Sequence, residues 1–403
     1  MKYALILGDG MADRPLEILG GKTPLEASCK PYTDMLAKTA RMGMVKTIPD
    51  GFKPASDTAN LSVLGYAPQK YYTGRSPLEA VSLGIKMDDD DIAVRCNLVT
   101  LSDEPDYEDK TMADYSAGEI TTEESHELIK YLEANLGQEA FHFYAGISYR
   151  HCLIVKHTST GTDFTPPHDI TGKKIRPYLP KDKDKDFYLE LQKSSYDLLV
   201  NHPINVARLS KGLKPANSIW LWGEGTKPML DSFSRKYGLK GAMVCAVDLL
   251  KGIAISAGMK LYEVEGATGG VVTNFAGKGE AALKALKDGN DFVYVHIEAP
   301  DESGHQGDVK AKINAIEQID KHIVKTLYNG LTEMKEDFAV MILPDHPTPI
   351  CTKTHSKDPV PFMIYSNQQI LGNNEAYDEK NAELTKDFVA VGDKLIELFI
   401  NTK

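Results

Sequence analysis

Phe338-Ala339-Val340-Met341-Ile342-Leu343-Pro344-Asp345-His346 is the stretch on which the fold turns. Its apolar run is short for a helix and shows no polar alternation, so it reads as a strand covered on both faces. Proline, a carboxylate and an imidazole end it. Working outward, similar runs recur at Tyr3 to Gly8, Ser218 to Gly223, Ala242 to Val247, Lys260 to Val264, Phe292 to Ile297 and Pro361 to Tyr365. Helical patterns occupy Lys183 to Asn201, Gly279 to Lys287, Ala311 to Tyr328 and Leu384 to Ile400. This alternation predicts an α/β fold built on a doubly wound, mostly parallel sheet.

At 403 residues the chain exceeds the ~250 to 300 at which one hydrophobic core usually stops growing, so an insertion or second domain is expected. Two charged stretches mark candidate boundaries. One is Met87-Asp88-Asp89-Asp90-Asp91; the other runs from Gly172-Lys173-Lys174-Ile175-Arg176-Pro177 to the alternating Lys181-Asp182-Lys183-Asp184-Lys185-Asp186. Between them lie strand-like Ala93 to Leu101, helical Thr122 to Leu136 and strand-like His151 to Lys156. The expected organisation is a discontinuous domain of residues 1–86 and 180–403 carrying a smaller α+β insertion at 87–179.

With 57 acids against 46 bases the formal charge is −11, which disfavours a sequence-independent grip on nucleic acid or anionic membrane. The N-terminal apolar run is too short for a signal peptide, and no stretch of about 18 apolar residues follows, so a cytoplasmic address is expected. Five scattered cysteines without a CxxC suggest reduced thiols rather than a disulfide framework or thiolate metal site. Nothing in the sequence bears on oligomeric state.

Acidic and imidazole residues cluster where the expected strands stop. Asp9 ends the first, Asp345 and His346 end a later one, and Ile297-Glu298-Ala299-Pro300-Asp301-Glu302-Ser303-Gly304-His305 ends a third. Ligands of open α/β sheets gather beyond the carboxyl ends of the strands, so one sheet edge would receive all of these groups. Asp301 and His305, four apart, share one face of a helical turn, and His355 adds a further imidazole. Mixed oxygen and nitrogen donors suit Mn²⁺, Zn²⁺ or Mg²⁺; calcium would want more oxygens. Two such sites would serve phosphoryl transfer, in which paired ions stabilise both the attacking and the leaving oxygen. Ser56, in Pro54-Ala55-Ser56-Asp57-Thr58-Ala59-Asn60-Leu61-Ser62, is a candidate metal-bound nucleophile or simply a helix-capping hydroxyl. Asn60, one helical turn on, is a candidate donor to a phosphoryl oxygen.

With these motifs, the chain resembles the archaeal-type cofactor-independent phosphoglycerate mutases of the alkaline phosphatase superfamily. The likeness rests on Gly8-Asp9-Gly10-Met11-Ala12-Asp13, Gly21-Lys22-Thr23-Pro24-Leu25-Glu26, Ser56-Asp57-Thr58-Ala59-Asn60-Leu61-Ser62, Tyr72-Thr73-Gly74-Arg75, Glu265-Gly266-Ala267-Thr268-Gly269, Asp301-Glu302-Ser303-Gly304-His305 and Asp345-His346-Pro347-Thr348-Pro349. The resemblance implies two divalent ions (Mn²⁺, Mg²⁺, Zn²⁺ or Co²⁺), one held by Asp301, His305 and His355, the other by Asp9, Ser56, Asp345 and His346. It implies that Ser56 takes the phosphoryl group of a small phosphorylated substrate and returns it to another hydroxyl, and that the insertion closes over the cleft as a lid. Arg95, Arg150, Arg208 and Lys251 are candidate anion contacts; His151 and His168 are candidate proton carriers.

One segment departs from the pattern. Asp114-Tyr115-Ser116-Ala117-Gly118-Glu119 stands where archaeal mutases tend to carry an arginine-rich stretch, and related bacterial sequences with this pattern have been proposed to act as homoserine kinases. The sequence therefore leaves a small-molecule kinase or a phosphomonoesterase beside the mutase. A non-catalytic metal-binding protein is disfavoured, because every expected ligand type stands at its strand end.

Overall fold

The computed structural model describes residues 1–402 and separates into two compact units, Met1–Tyr72 with Met229–Lys403, and Thr73–Pro228. The first unit holds an eight-stranded sheet. Its strands lie in the order Lys260–Leu261, Gly241–Val244, Phe292–Ile297, Lys2–Gly8, Phe338–Leu343, Val360–Ser366, Arg41–Val45 and Phe388–Val389. The three central strands are parallel and buried at every position, which only helices on both faces can provide. Ile6, Val293, Val295, Val340 and Ile342 share one apolar cluster with Ala282, Ala285, Ile316 and Leu327 of the covering helices.

Register places the chemistry. Gly8 lies opposite Ile297 and Leu7 opposite Leu343, so the residues that follow all three strands leave the sheet at one edge. Val360–Ser366 runs antiparallel to both neighbours. A parallel return needs a crossover, usually helical, whereas residues 344–359 form no helix and bring the strand back in the opposite sense.

Three expectations are corrected here. Leu384 to Ile400 is not one helix: Glu379–Leu384 ends, Phe388–Val389 joins the sheet edge, and Leu395–Ile400 starts anew. The Arg41–Val45 strand captures this segment, with the Asp387 carbonyl accepting from Met44 N–H at 2.8 Å and the Asp387 carboxylate taking the Arg41 guanidinium at 2.6 and 3.2 Å. Ala311 to Tyr328 is interrupted by a π-helical turn at Asp320–Val324, where Asp320 accepts hydrogen bonds from Thr33 N–H and Oγ1–H at 2.6 and 2.7 Å. Ser218–Thr226 belongs to the other unit, pairing antiparallel with Ile92–Leu101.

That pairing also moves the domain boundary. The second unit runs from Thr73 to Pro228 rather than 87–179, because the Ser218–Thr226 strand and the Lys185–Leu199 helix complete its core. Its antiparallel sheet also contains Met112–Asp114, Arg150–Val155 and Phe141–Ile147, and the Thr122–Leu136 helix packs on it through Leu128, Ile129 and Leu132. Among the described residues no helix is long and apolar enough to cross a membrane.

Candidate metal centre and active site

Three strand ends deliver the site's side chains. Asp9 follows Lys2–Gly8, Asp345 and His346 follow Phe338–Leu343, and the Ala299–Gln306 helix carrying Asp301 and His305 starts just after Phe292–Ile297. His346 Nε2 lies 3.6 Å from Asp9 Oδ1 and 3.5 Å from Asp345 Oδ2. Asp301 Oδ2 is 3.2 Å from His305 Nε2, and its Oδ1 is 3.3 Å from His355 Nε2. Ser56 Oγ sits 3.1 Å from His346 Nε2. The structure thus brings together Asp9, Ser56, Asp301, His305, Asp345, His346 and His355. Grouped by distance, the candidate ligand atoms overlap. Asp9, Asp345 and His346 form one cluster of metal-ligand atoms and Asp301, His346 and His355 another, and the His355 ring stacks on His346 at 3.9 Å, so His346 is common to both.

The donor set fits two divalent cations. Asp9 and Asp345 are buried, and Asp9 Oδ1 has no hydrogen-bond partner among the described residues. Burial, together with the charges of Asp345 and Asp301, pushes the Asp9 carboxyl well above its ordinary range. Buried carboxylates converging without enough positive charge are costly unless cations compensate them, and the nitrogen and oxygen donors without thiolate match Mn²⁺, Zn²⁺ or Mg²⁺ chemistry.

Ser56 begins the Ser56–Val63 helix after an extended Ala55, which places its hydroxyl at the positive end of the helix dipole. Asn60 bridges the start of this helix to the Phe338–Leu343 strand end. Its amide donates to Ser56 O at 2.8 Å and Asp345 Oδ2 at 2.9 Å, while its oxygen accepts from Tyr294 O–H at 2.5 Å. Fully buried and engaged at both amide atoms, it ties the Ser56–Val63 helix to the Asp345 carboxylate.

Sequence reading missed the supports behind these ligands. His296, fully buried, lies between Asp9 and Glu298, at 3.3 and 2.9 Å. Burial works against its charged form, but Glu298 and Asp9 outweigh that and raise its pKa to about 10. Lys278, also fully buried, donates to Glu298 at 3.0 Å and to His296 O at 2.9 Å. Lys312 joins two site loops by donating to Asp13 at 2.7 Å, Ala12 O at 3.2 Å and Thr348 O at 2.8 Å. The available signal was a lysine on the sheet-facing side of each helix. Gly10 is a further support: its φ of +60° favours glycine, and a Cβ there would stand 2.5 Å from Thr348 Oγ1 and 2.6 Å from Asp301 Oδ1. Gly10→Ala should therefore destabilise the first unit by at least about 2 kcal/mol in denaturant unfolding and lower metal content with it.

Residues 37–205 match the family described as 2,3-bisphosphoglycerate-independent phosphoglycerate mutase. The Methanosarcina barkeri protein of that name is 48% identical over 405 residues, covering 100% of both chains. The chain belongs to the cofactor-independent phosphoglycerate mutases. A Geobacter sulfurreducens protein named as a probable mutase of this kind is 45% identical over 402 residues, again covering 100% of each chain. Among solved structures, a Pyrococcus horikoshii protein is similar with a TM-score of 0.83, at 30% identity over 99% of this chain and 96% of its own. The cofactor-independent phosphoglycerate mutase of Thermoplasma acidophilum has a TM-score of 0.68, at 26% identity and 99% coverage of both.

The remaining candidate residues of this mutase family member divide by environment. In the second unit a contiguous cation and aromatic cluster forms. Arg95 stacks on Trp222 at 4.1 Å and pairs with Glu79 at 3.0 Å. Trp222 touches His168, His168 touches Tyr115, Tyr115 touches Tyr149, and Arg150 covers Tyr149 at 5.2 Å. Tyr115 of the departing segment is therefore built into this cluster, while Asp114 beside it pairs with Lys214 at 2.6 Å. Lys251, in the first unit, lies 3.4 Å from Glu263 and lines a cavity of about 370 Å³ with Cys245 and Glu265.

Two candidates are buried. His151 is buried, and burial pulls its pKa down to about 3, which keeps the ring neutral; its Nδ1 accepts from Gly146 N–H at 3.0 Å. Its buried Nε2 has no hydrogen-bond partner among the described residues. Arg208 is 3% exposed, and its guanidinium holds Glu124, Ala117 O at 2.8 Å and Lys214 O at 2.9 Å. Arg208→Ala should cost the second unit about 2 to 3 kcal/mol, because Glu124 loses its partner and two carbonyls lose donors. Urea unfolding checks this; a selective rise in KM with unchanged stability would return Arg208 to the substrate.

Proposed function

We propose that the chain interconverts 2- and 3-phosphoglycerate without bisphosphoglycerate, through a phosphorylated Ser56. The observation that carries this reading is Ser56 Oγ at 3.1 Å from His346, the imidazole common to both ligand clusters. The relatives' shared name supports the substrate. Bound divalent ions, Mn²⁺, Mg²⁺, Zn²⁺ or Co²⁺, would supply the positive charge that ionises the Ser56 hydroxyl and offsets the charge of the phosphoryl group in flight.

The chain's own residues do the rest. Ser56 Oγ attacks phosphorus as the bond to the substrate oxygen breaks, and that oxygen takes a proton. The glycerate's other hydroxyl then gives up a proton and attacks phosphoserine, releasing Ser56, so the net reaction is isomerisation. The N-terminus of the Ser56–Val63 helix favours the negative phosphoserine, and Asn60 and Tyr294 hold its first turn against Asp345. Arg95 and Arg150 are the guanidinium groups assigned to substrate anions. Glycolysis or gluconeogenesis in the cytoplasm is the setting that follows from this substrate.

Purified protein with Mn²⁺ should convert 3-phosphoglycerate into material that enolase consumes, with no bisphosphoglycerate added. Phosphohomoserine formed from ATP and homoserine, with no enolase-coupled signal, would move the activity to the kinase reading.

A further inference from the structure

The acidic run Asp88-Asp89-Asp90-Asp91 has no part in the chemistry above. It lies in the second unit, immediately before the Ile92–Leu101 strand. His157 comes just after the Arg150–Val155 strand, and Ile92 pairs with Val155, so the acidic run and the histidine meet at one end of the sheet. His157 Nδ1 and Asp90 Oδ2 are 2.8 Å apart. Metal-ligand atoms of Asp90, Asp91 and His157 all lie within 4.8 Å of one another.

Asp91 distinguishes this cluster from a surface ion pair. It is 1% exposed, its Oδ2 accepts from Asp88 N–H at 2.8 Å, and its Oδ1 has no hydrogen-bond partner among the described residues. A buried carboxylate oxygen left unpaired is costly, and an Asp90–His157 pair does nothing for it. Asp89 is turned to Lys227, 2.9 Å away, which separates it from the other two carboxylates. What remains is one imidazole nitrogen and two carboxylates, a three-ligand set that zinc completes with water.

We propose that Asp90, Asp91 and His157 bind one divalent cation of zinc-like chemistry, separate from the two clusters around His346, and that it clips together the paired ends of the Ile92–Leu101 and Arg150–Val155 strands. Coordination through Nδ1 displaces the proton shared with Asp90, so the ion and the ion pair are alternatives.

The test is zinc content of the full-length protein equilibrated with Zn²⁺ and freed of unbound metal. Wild type should carry one zinc more per chain than His157→Ala and Asp91→Asn, while Asp89→Asn retains the full count and mutase turnover stays within about twofold in all three. Thermal unfolding of wild type should rise with added Zn²⁺ by more than that of His157→Ala. Equal zinc in wild type and His157→Ala would overturn the proposal. Because His157 is largely exposed, that variant carries the test even if Asp91→Asn folds poorly.

Discussion

Ser56→Ala should lower turnover by at least about a thousandfold, because the variant lacks the hydroxyl that carries the phosphoryl group in the covalent route. The fold should survive. Ser56 is only half-buried, its hydroxyl bonds to His346, and alanine favours the helix that Ser56 begins. Two readouts separate chemistry from folding. Denaturant unfolding should match wild type to within about 1 kcal/mol, and incubation with labelled phosphoglycerate should leave label on wild type but none on the variant. Turnover retained within tenfold would remove the covalent route while leaving the metal clusters in place.

Asp345→Ala and His346→Ala test how the cations are divided. Asp345 belongs to one cluster, whereas His346 belongs to both. Metal content of chelator-stripped, reloaded protein should therefore fall by one ion per chain in Asp345→Ala and at both sites in His346→Ala. Turnover should drop by at least about a hundredfold in each, since loss of even an outer partner of a metal ligand typically costs 10 to 100-fold. Asp345 also accepts from Gly10 N–H at 3.2 Å and Asn60 at 2.9 Å, so Asp345→Asn is the control that keeps its shape while weakening its charge. If His346→Ala lost only one ion, the sharing inferred from the ring's position would fail, and the ligand division expected from sequence would stand.

Much of the fold was legible in the sequence. The runs Phe292–Ile297 and Phe338–Leu343 are strands over the very residues their mainly apolar pattern marked, because burial on both faces keeps nearly every position apolar, His296 being the exception. The Thr122–Leu136 helix was equally plain, with Thr121 capping Glu124 N–H. Weaker signals failed where tertiary capture overrode local preference. Phe388–Val389 sits in a helix-like stretch but became an edge strand because Arg41–Val45 offered an unpaired partner. Strand Phe141–Ile147, interrupted by Gly146, gave too little alternation to be recognised.

From the sequence came the kinds of ligand and the strand ends at which they stand, since side-chain chemistry and apolar periodicity are local properties of the chain. Which donors remain available was decided only by the fold. Asn60 meets Asp345 across 285 residues and Arg208 meets Glu124 across 84, and in each case the partner occupies a group that looked available for substrate. His346 became common to two clusters in the same way, because strands distant along the chain end at one sheet edge and their side chains compete there for the same space.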